Sequence, residues 1–270
     1  MKSQQWGIGG PQLVKPATTD TYETVVGFFD LHRPQHDALL WLKSMEVMKE
    51  IRPHRYVIGG DGSDFSLISR WQEKRRAGMP QGKVDRMVRN DMAKFAEGVF
   101  GEIRKIDPDA VIDFCEGNHD ERARLWMDDD LETGIEEFKS AMQFDQYDVN
   151  WHPRAGFRLR DEFIIRHGNY TVMHNAKKEF DTTKCGGWSG HKHQRTFWEE
   201  THHETMRRWE WTVAPVMSRV DYDYGPGQSG LAQWPQGFLL GMFSTRNQYD
   251  YHTEVARYWD HKLMVRGNIY

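Results

Sequence analysis

The tetrapeptide Gly-Asn-His-Asp at residues 117–120 puts an amide, an imidazole and a carboxylate directly after an apolar run, AVIDFC (110–115). A connection that only turned the chain would need Gly, Asn or Asp, so His119 has no turn-making role. Imidazole, amide and carboxylate groups together can bind a metal ion or transfer a proton. The sequence therefore indicates a reactive site here, provided that other segments supply partners for His119.

Four further segments carry side chains of the same kind. They are D-L-H with Asp30 and His32, G-D-G-S-D with Asp61 and Asp64, R-H-G with His167, and S-G-H-K-H with His191 and His193. The first two also follow apolar runs, ETVVGFF (23–29) and RYVIGG (55–60). Ligands of open α/β sheets bind at the carboxyl ends of the strands, so we expect these loops to meet in one crevice.

Each segment also has a purely structural interpretation. Asp61 and Asp64 could cap the helix that follows them, Asn118 could be a turn residue, and His167 could be an ordinary strand histidine. The occurrence of all five segments in one order favours metal binding over these alternatives. For Asp64 both interpretations stay open.

The ordered series D-x-H, G-D-x-x-D, G-N-H-D, H-G and G-H-x-H, over residues 30 to 193, closely resembles the calcineurin-like metallophosphoesterase superfamily. The resemblance implies two divalent metal ions, with Mn²⁺ the expected activator and Fe or Zn as alternatives. It assigns one ion to Asp30, His32 and His193, the other to Asn118, His167 and His191, and a bridging role to Asp61. His119 would protonate the leaving oxygen or bind a phosphate oxygen, and Asp64 would orient His119.

The form of the third segment narrows the resemblance. Serine/threonine protein phosphatases of the superfamily have G-N-H-E, whereas this chain has G-N-H-D, the form of its nuclease and phosphodiesterase members. The resemblance then implies hydrolysis of phosphodiester bonds, in nucleic acid or a nucleotide, by a water molecule that both metals deprotonate. Two alternatives remain: a phosphomonoesterase with a small substrate, and a catalytically silent module that binds metal or nucleic acid.

The pattern of apolar residues predicts an α/β fold. Three strand-like runs alternate with helical segments at 36–51, 64–106 and 135–144, and strand-like segments dominate from residue 156 onward. With the resemblance, this predicts two central sheets packed face to face with helices on the outer faces, a four-layer α/β/β/α sandwich. We expect an N-terminal arm at 1–20 and a single domain at 21–270.

Composition limits the class of protein. The 270 residues are 38% hydrophobic and 28% charged, as in globular proteins. No apolar run approaches the roughly 20 residues that span a bilayer, and no secretory signal is visible, so we expect a cytoplasmic protein without membrane contact. The two cysteines do not form a disulfide framework. The oligomeric state is not predictable.

Other segments could contact a phosphate-ester substrate such as DNA or RNA. Residues 70–94 hold eight Lys or Arg against three Asp or Glu, although the net charge of −4 argues against a generally cationic surface. A solvated basic helical hairpin is the alternative. Further candidates are the arginines near the motifs and several aromatic residues: Arg33, Arg122, Arg124, Trp188, Trp198, Trp209, Trp211 and Trp234. The favoured alternatives are a solvated surface for the arginines and positions in the sheets and core for the tryptophans. The Gly/Pro-rich stretch at 221–237 is long enough to be functional.

Overall fold

The computed structural model describes residues 10–128, 130–219 and 234–270. The strands are β1 (Gln12–Leu13), β2 (Tyr22–Phe28), β3 (Arg55–Ile58), β4 (Val111–Cys115), β5 (Val149–His152), β6 (Phe157–Arg160), β7 (Phe163–Ile165), β8 (Gly186–Ser189), β9 (Thr196–Thr201), β10 (Arg208–Val213), β11 (Gln236–Ser244), β12 (Tyr251–Trp259), β13 (Lys262–Val265) and β14 (Asn268–Ile269). The α-helices are α1 (Ala38–Ile51), α2 (Glu73–Arg76), α3 (Gln81–Ala96), α4 (Glu102–Ile106), α5 (Asn118–Met127), α6 (Leu131–Ala141), α7 (Phe144–Tyr147) and α8 (Asn175–Thr183). Short 3₁₀ turns at Ser66–Ile68 and Arg70–Gln72 and a π-helical turn at Glu97–Gly101 interrupt the segment predicted as mostly helical at 64–106.

Two sheets organise the fold. The large sheet has the order β14-β13-β12-β11-β2-β3-β4-β5, with β2 to β5 parallel and the other pairs antiparallel. The small sheet has the order β1-β6-β7-β8-β10-β9, in which β7, β8 and β10 are parallel neighbours. The parallel strands β2, β3 and β4 therefore end at the same edge of the large sheet.

The sheets pack face to face between helices. One apolar cluster joins Val57 and Leu239 of the large sheet to Phe163 and Trp188 of the small sheet. The other face of the large sheet packs against α1 and α3, and α8 packs on the outer face of the small sheet. These are the four layers predicted from the sequence, and the predicted fold class is confirmed. The apolar area buried between layers is the main source of their stability.

A buried ionic network also links the two sheets. Glu23 of β2 accepts hydrogen bonds from Arg55 Nε of β3 (2.6 Å) and from Arg160 Nη2 of the small sheet (2.9 Å). Arg55 also pairs with Asp113 of β4. All these charged groups are buried, so removing one partner would leave an uncompensated charge in the interior. The ion pair between Glu23 and Arg160 therefore constrains the packing of one sheet on the other.

Several boundaries differ from those predicted. Helix α1 begins at Ala38 rather than at 36, because Asp37 Oδ1 caps it by accepting hydrogen bonds from Leu39 N and Leu40 N, both 3.0 Å. Residues 12–13 of the predicted N-terminal arm pair with β6, and its first nine residues lie outside the described part. Most of the 221–237 stretch likewise lies outside it. Among the described residues, no helix is both long and apolar enough to cross a membrane.

Candidate metal centre

The predicted ligands of the N-terminal half follow three neighbouring parallel strands. Asp30 comes two residues after β2, Asp61 three residues after β3, and Asn118 three residues after β4. Backbone hydrogen bonds join the first two loops, since His32 N donates to Asp61 O over 2.9 Å. The carboxyl edge of the large sheet thus gathers the side chains of all three loops.

The remaining predicted ligands come from the small sheet. His167 follows β7 by two residues and His191 follows its parallel neighbour β8 by two, with His193 in the same loop. Gly190 N donates to His167 O over 2.8 Å and ties these two loops together. The packing of the sheets brings this edge against the edge that carries Asp30 and Asp61.

Asp30, His32 and His193 form the first group of donor atoms. His32 Nε2 and His193 Nε2 are 3.0 Å apart, and they lie 4.0 Å and 3.4 Å from Asp30 Oδ1. All three residues are buried. Two imidazole nitrogens aimed at each other and at a carboxylate are an arrangement that a shared cation would stabilise.

Asp61, His167 and His191 form the second group, with donor atoms all within 4.8 Å of one another. His167 Nε2 lies 3.2 Å from Asp61 Oδ2 and 3.1 Å from Asn118 Oδ1. His167 Nδ1 lies 3.0 Å from the carbonyl oxygen of Gly59, so donation from Nδ1 would leave Nε2 as the metal-binding nitrogen.

Asp61 contacts both groups. Besides His167, its Oδ2 atom lies 3.9 Å from His32 Nε2 of the first group. Its other carboxylate oxygen, Oδ1, accepts a hydrogen bond from His119 N over 2.8 Å. The resemblance assigns a bridging role to this residue, and its position between the groups suits that role.

The buried carboxylates of Asp30 and Asp61 favour the binding of a cation at the site. Among the described residues, Asp30 and Asp61 have only histidines, and no Lys or Arg, within ion-pairing distance. Burial opposes ionisation, yet His193 and His167 hold the pKa of Asp30 below its usual value. Burial also opposes protonation of His167, but Asp61 raises its pKa to about 9. Two buried carboxylates among imidazoles, without a basic side chain, are a donor set that fits divalent metal ions.

Backbone strain is concentrated at the site. Asp30, His32, Asp61, His191 and His193 all have left-handed φ angles, between 49° and 71°. This conformation is uncommon for residues other than glycine, and it costs of order 1–3 kcal/mol per residue. Asp and His tolerate it better than bulky side chains, and the strain turns successive donor groups toward one point.

Glycines let the loops approach the ligands closely. A Cβ atom added to Gly117 would lie 2.2 Å from Asp61 Oδ1, and one added to Gly190 would lie 2.4 Å from Asp30 Oδ2. Both distances are far below van der Waals contact. The glycines of G-N-H-D and G-H-x-H therefore have a steric role, since any side chain there would displace a predicted ligand.

We expect Gly190→Ala to lower the affinity for metal by roughly 10- to 100-fold, the range found when the support of a ligand is disturbed. The melting temperature should fall as well, because the added methyl group overpacks the site. Elemental analysis and thermal unfolding measure the two effects. Gly78→Ala is the matched control, since a Cβ at Gly78 meets nothing within 4 Å. Equal metal content and stability in the two variants would contradict the steric role.

His119 lies beside the two groups, and Asp64 contacts it through its backbone. His119 Nδ1 is 2.7 Å from Asp64 O and 3.5 Å from Asp64 Oδ1, and His119 Nε2 is 3.9 Å from Asp61 Oδ2. Burial lowers the pKa of His119 to about 4 in the absence of bound ions and substrate. Donation from Nδ1 to Asp64 O would orient the ring with Nε2 toward the site. Asp64 contacts His119 as predicted. The shorter of the two contacts is made by its main-chain carbonyl oxygen and not by its carboxylate.

Asp64 also has a second neighbour. Its Oδ1 atom lies 3.6 Å from His32 Nδ1, so the donor atoms of His32, Asp64 and His119 form a third cluster within 4.8 Å. The Asp64 carboxylate thus faces the Nδ1 atoms of both histidines.

Two residues outside the predicted set of ligands support the site. Asp120 Oδ2 accepts hydrogen bonds from Asp61 N (2.8 Å) and Gly117 N (2.9 Å), and so it fixes two of the loops. Burial, reinforced by Asp61, raises the pKa of Asp120 to about 7. Trp234 packs edge-on against His193, with ring centroids 4.4 Å apart. The fourth letter of G-N-H-D pointed to Asp120, whereas no sequence signal connected Trp234 to His193.

The candidate substrate-contacting arginines differ in environment. Arg33 donates to His36 and packs on Trp41, and Arg124 is buried in an ion pair with Glu116 at 2.6 Å. Both are thus engaged in the fold. Arg122 lines a cavity next to the turns that follow Asp64.

The candidate stacking tryptophans are mostly part of the core. Trp188 and Trp211 are fully buried, which confirms the interpretation of these two as sheet and core residues and excludes them from stacking on nucleic acid. Trp198 and Trp209 are partly buried and Trp234 is nearly fully buried. The sheets fill their interior with these rings.

Comparisons with known proteins add little to this geometry. No protein-family model and no curated protein sequence matches the chain. Among solved structures, Vacuolar Protein Sorting 29 from Cryptosporidium parvum has 12% identity and a TM-score of 0.47, with coverage of 93% of this chain and 97% of its own. Chaetomium thermophilum Vps29 has 10% identity and a TM-score of 0.37, with coverage of 87% and 97%. At these TM-scores neither alignment supports a conclusion about fold or activity.

Proposed function

We propose that this chain is a dinuclear metal-dependent phosphodiesterase of the calcineurin-like metallophosphoesterase superfamily. The observation that carries the proposal is the position of Asp61, whose Oδ2 atom lies 3.2 Å from His167 Nε2 of its own donor group and 3.9 Å from His32 Nε2 of the other. A carboxylate can bridge two cations, whereas a neutral imidazole cannot. The motif order in the sequence supports the same assignment.

In this proposal Asp30, His32 and His193 hold one ion, Asn118, His167 and His191 hold the other, and Asp61 contacts both. Oxygen and nitrogen donors without thiolate suit Mn²⁺, with Fe or Zn as alternatives. Bound divalent ions supply the Lewis acidity of the reaction, lowering the pKa of water and neutralising charge on phosphate.

His119 acts on the leaving group. In hydrolysis of a diester, a water molecule loses a proton to solvent as its oxygen bonds to phosphorus, the bond from phosphorus to the leaving oxygen breaks, and that oxygen takes up a proton from His119. An anionic phosphate beside His119 favours the charged imidazolium, which can then donate from Nε2 while Nδ1 stays on Asp64 O. The products are a phosphate monoester and an alcohol.

The proposed substrates are phosphodiesters of nucleic acid or of a nucleotide. Lys74, Arg75, Lys83 and Arg86 of the basic segment 70–94 are exposed and could follow a phosphate backbone. Arg76 differs from them, because its Nη1 atom donates to Leu67 O over 2.7 Å. A charge reversal aimed at substrate binding should therefore spare Arg76.

The test is a panel of substrates offered to metal-free protein and to protein supplied with Mn²⁺. The panel contains bis-p-nitrophenyl phosphate, p-nitrophenyl phosphate, and labelled single- and double-stranded DNA. We expect Mn²⁺-dependent hydrolysis with the diester preferred to the monoester, and a rate on DNA that falls steeply with added salt. Preference for the monoester would instead indicate a phosphomonoesterase, and inactivity on every substrate with two ions bound would indicate a silent metal-binding module.

A further inference from the structure

A cavity of about 550 Å³ lies beside the candidate metal centre, between the turns that follow Asp64 and helix α5. We call it the Trp71 pocket, and its polar and aromatic lining consists of Ser69, Arg70, Trp71, Glu73, Arg76 and Arg122. Three arginines against one glutamate make it cationic. Because Arg122 lies one helical turn after His119 on α5, the pocket opens next to the proposed proton donor.

The arginines of the pocket are not equivalent. Arg76 is held by the carbonyl oxygens of Leu67 and Ser69 and stacks on Trp126, with its guanidinium 5.0 Å from the ring centroid. Arg122 is half-buried, and its Nη1 atom is buried without a hydrogen-bond partner among the described residues. Leaving a buried charged donor unsatisfied is costly, and an anion in the pocket would remove that cost. Arg122 is thus the residue placed to receive a phosphate.

Trp71 supplies an aromatic surface at the same place. Its side chain is 66% exposed, the highest value among the tryptophans that the structure describes, and the Arg70 guanidinium lies 4.5 Å from its ring centroid. A large exposed aromatic ring held by a cation at the rim of a cationic cavity suits the face of a nucleobase, since base stacking needs no hydrogen-bond partner. Base and phosphate sites in one pocket match the two ends of a nucleotide.

The position of the pocket relative to His119 decides which part of a substrate it would hold. The leaving oxygen must lie next to the proton donor, so whatever departs with that oxygen extends past His119 toward Arg122. A second cavity of about 530 Å³ is lined by Arg195, Arg257 and Trp259, and Arg195 follows His193 by two residues in the chain. His193 belongs to the proposed ligand groups and not to the leaving-group side.

We propose that the Trp71 pocket binds the leaving nucleotide of a phosphodiester, with Trp71 stacking on its base and Arg122 pairing with its outer phosphate. This inference rests on the proposed phosphodiesterase function. It adds a binding site for the leaving nucleotide and two specificity-determining residues outside the predicted set of ligands.

The test compares dinucleotides in which one base is missing, with the full Mn²⁺-loaded chain. The substrates are thymidylyl-thymidine and its two analogues that carry an abasic sugar on one side or the other, and product analysis identifies the leaving side. For the unmodified chain, loss of the leaving-side base should lower kcat/KM by about 10- to 100-fold. In Trp71→Ala this difference should vanish, while the effect of the other base should stay as it was.

Arg122→Met tests the phosphate site. An added terminal phosphate on the leaving side should raise kcat/KM in the unmodified chain and should have no effect in this variant. Trp259→Ala and Arg257→Met, which change the same residue types in the second cavity, are the controls and should behave like the unmodified chain.

The outcomes separate the two proposals. If the unmodified chain cleaves no diester of any kind with Mn²⁺, the proposed function is wrong. If it cleaves bis-p-nitrophenyl phosphate or the dinucleotides but Trp71→Ala keeps the full preference for the leaving-side base, the function stands and the pocket assignment is overturned. If the preference for the leaving-side base is lost in Trp259→Ala, or the effect of the added phosphate is lost in Arg257→Met, the pocket assignment is also overturned.

Discussion

Asp61→Asn should lower the metal content from two ions per chain to one or none and lower turnover by roughly 10³-fold or more. The carboxylate contacts both donor groups, so the neutral amide weakens both sites at once. Metal ions contribute several kcal/mol to the stabilisation of the transition state, and each 1.36 kcal/mol is a factor of ten in rate. Elemental analysis after reconstitution with Mn²⁺ and steady-state kinetics on bis-p-nitrophenyl phosphate measure both effects.

Asp64→Asn is the matched control, because it makes the same chemical change three residues away. The Asp64 carboxylate lies 3.5 Å from His119 Nδ1 and 3.6 Å from His32 Nδ1, whereas His32 belongs to the first donor group through its Nε2 atom. We expect this variant to keep both ions. Two ions retained in Asp61→Asn, or equal metal loss in the two variants, would contradict a bridging role for Asp61.

His119→Ala should keep both ions and lower turnover by roughly 10²- to 10⁴-fold, the range for a positioned acid–base group. The reason is that His119 adjoins the donor groups without being needed to complete either of them. Its ring orientation depends on Asp64 O, which the substitution leaves in place. Metal content and kcat for a diester are the two measurements.

His167→Ala provides the contrast. Its Nε2 atom lies between Asp61 and Asn118, so this variant should lose an ion together with activity. If His119→Ala also loses an ion, then His119 is a ligand, and the cluster of His32, Asp64 and His119 takes part in metal binding. Retained metal with unchanged turnover would remove His119 from the chemistry.

Local sequence patterns were sufficient for the α/β fold class and for most elements. Strands β3 and β4 were predicted because continuous apolar runs are typical of parallel strands buried on both faces. The seven predicted ligands and His119 were proposed from short motifs that follow strands, and their roles stay predictions. Boundaries were less accurate where a cap decides them, as Asp37 does for α1.

Only the tertiary structure decided how these side chains combine. His32 and His193 are 161 residues apart in the chain yet have ring nitrogens 3.0 Å apart, and no local pattern contains that distance. The same holds for burial: Trp188 and Trp211 are in the core, whereas Trp71, in a basic segment, is exposed beside the site. The physical reason is that hydrogen bonding and apolar periodicity within an element are local, whereas the packing of two sheets determines which loops meet and which faces remain open to a substrate.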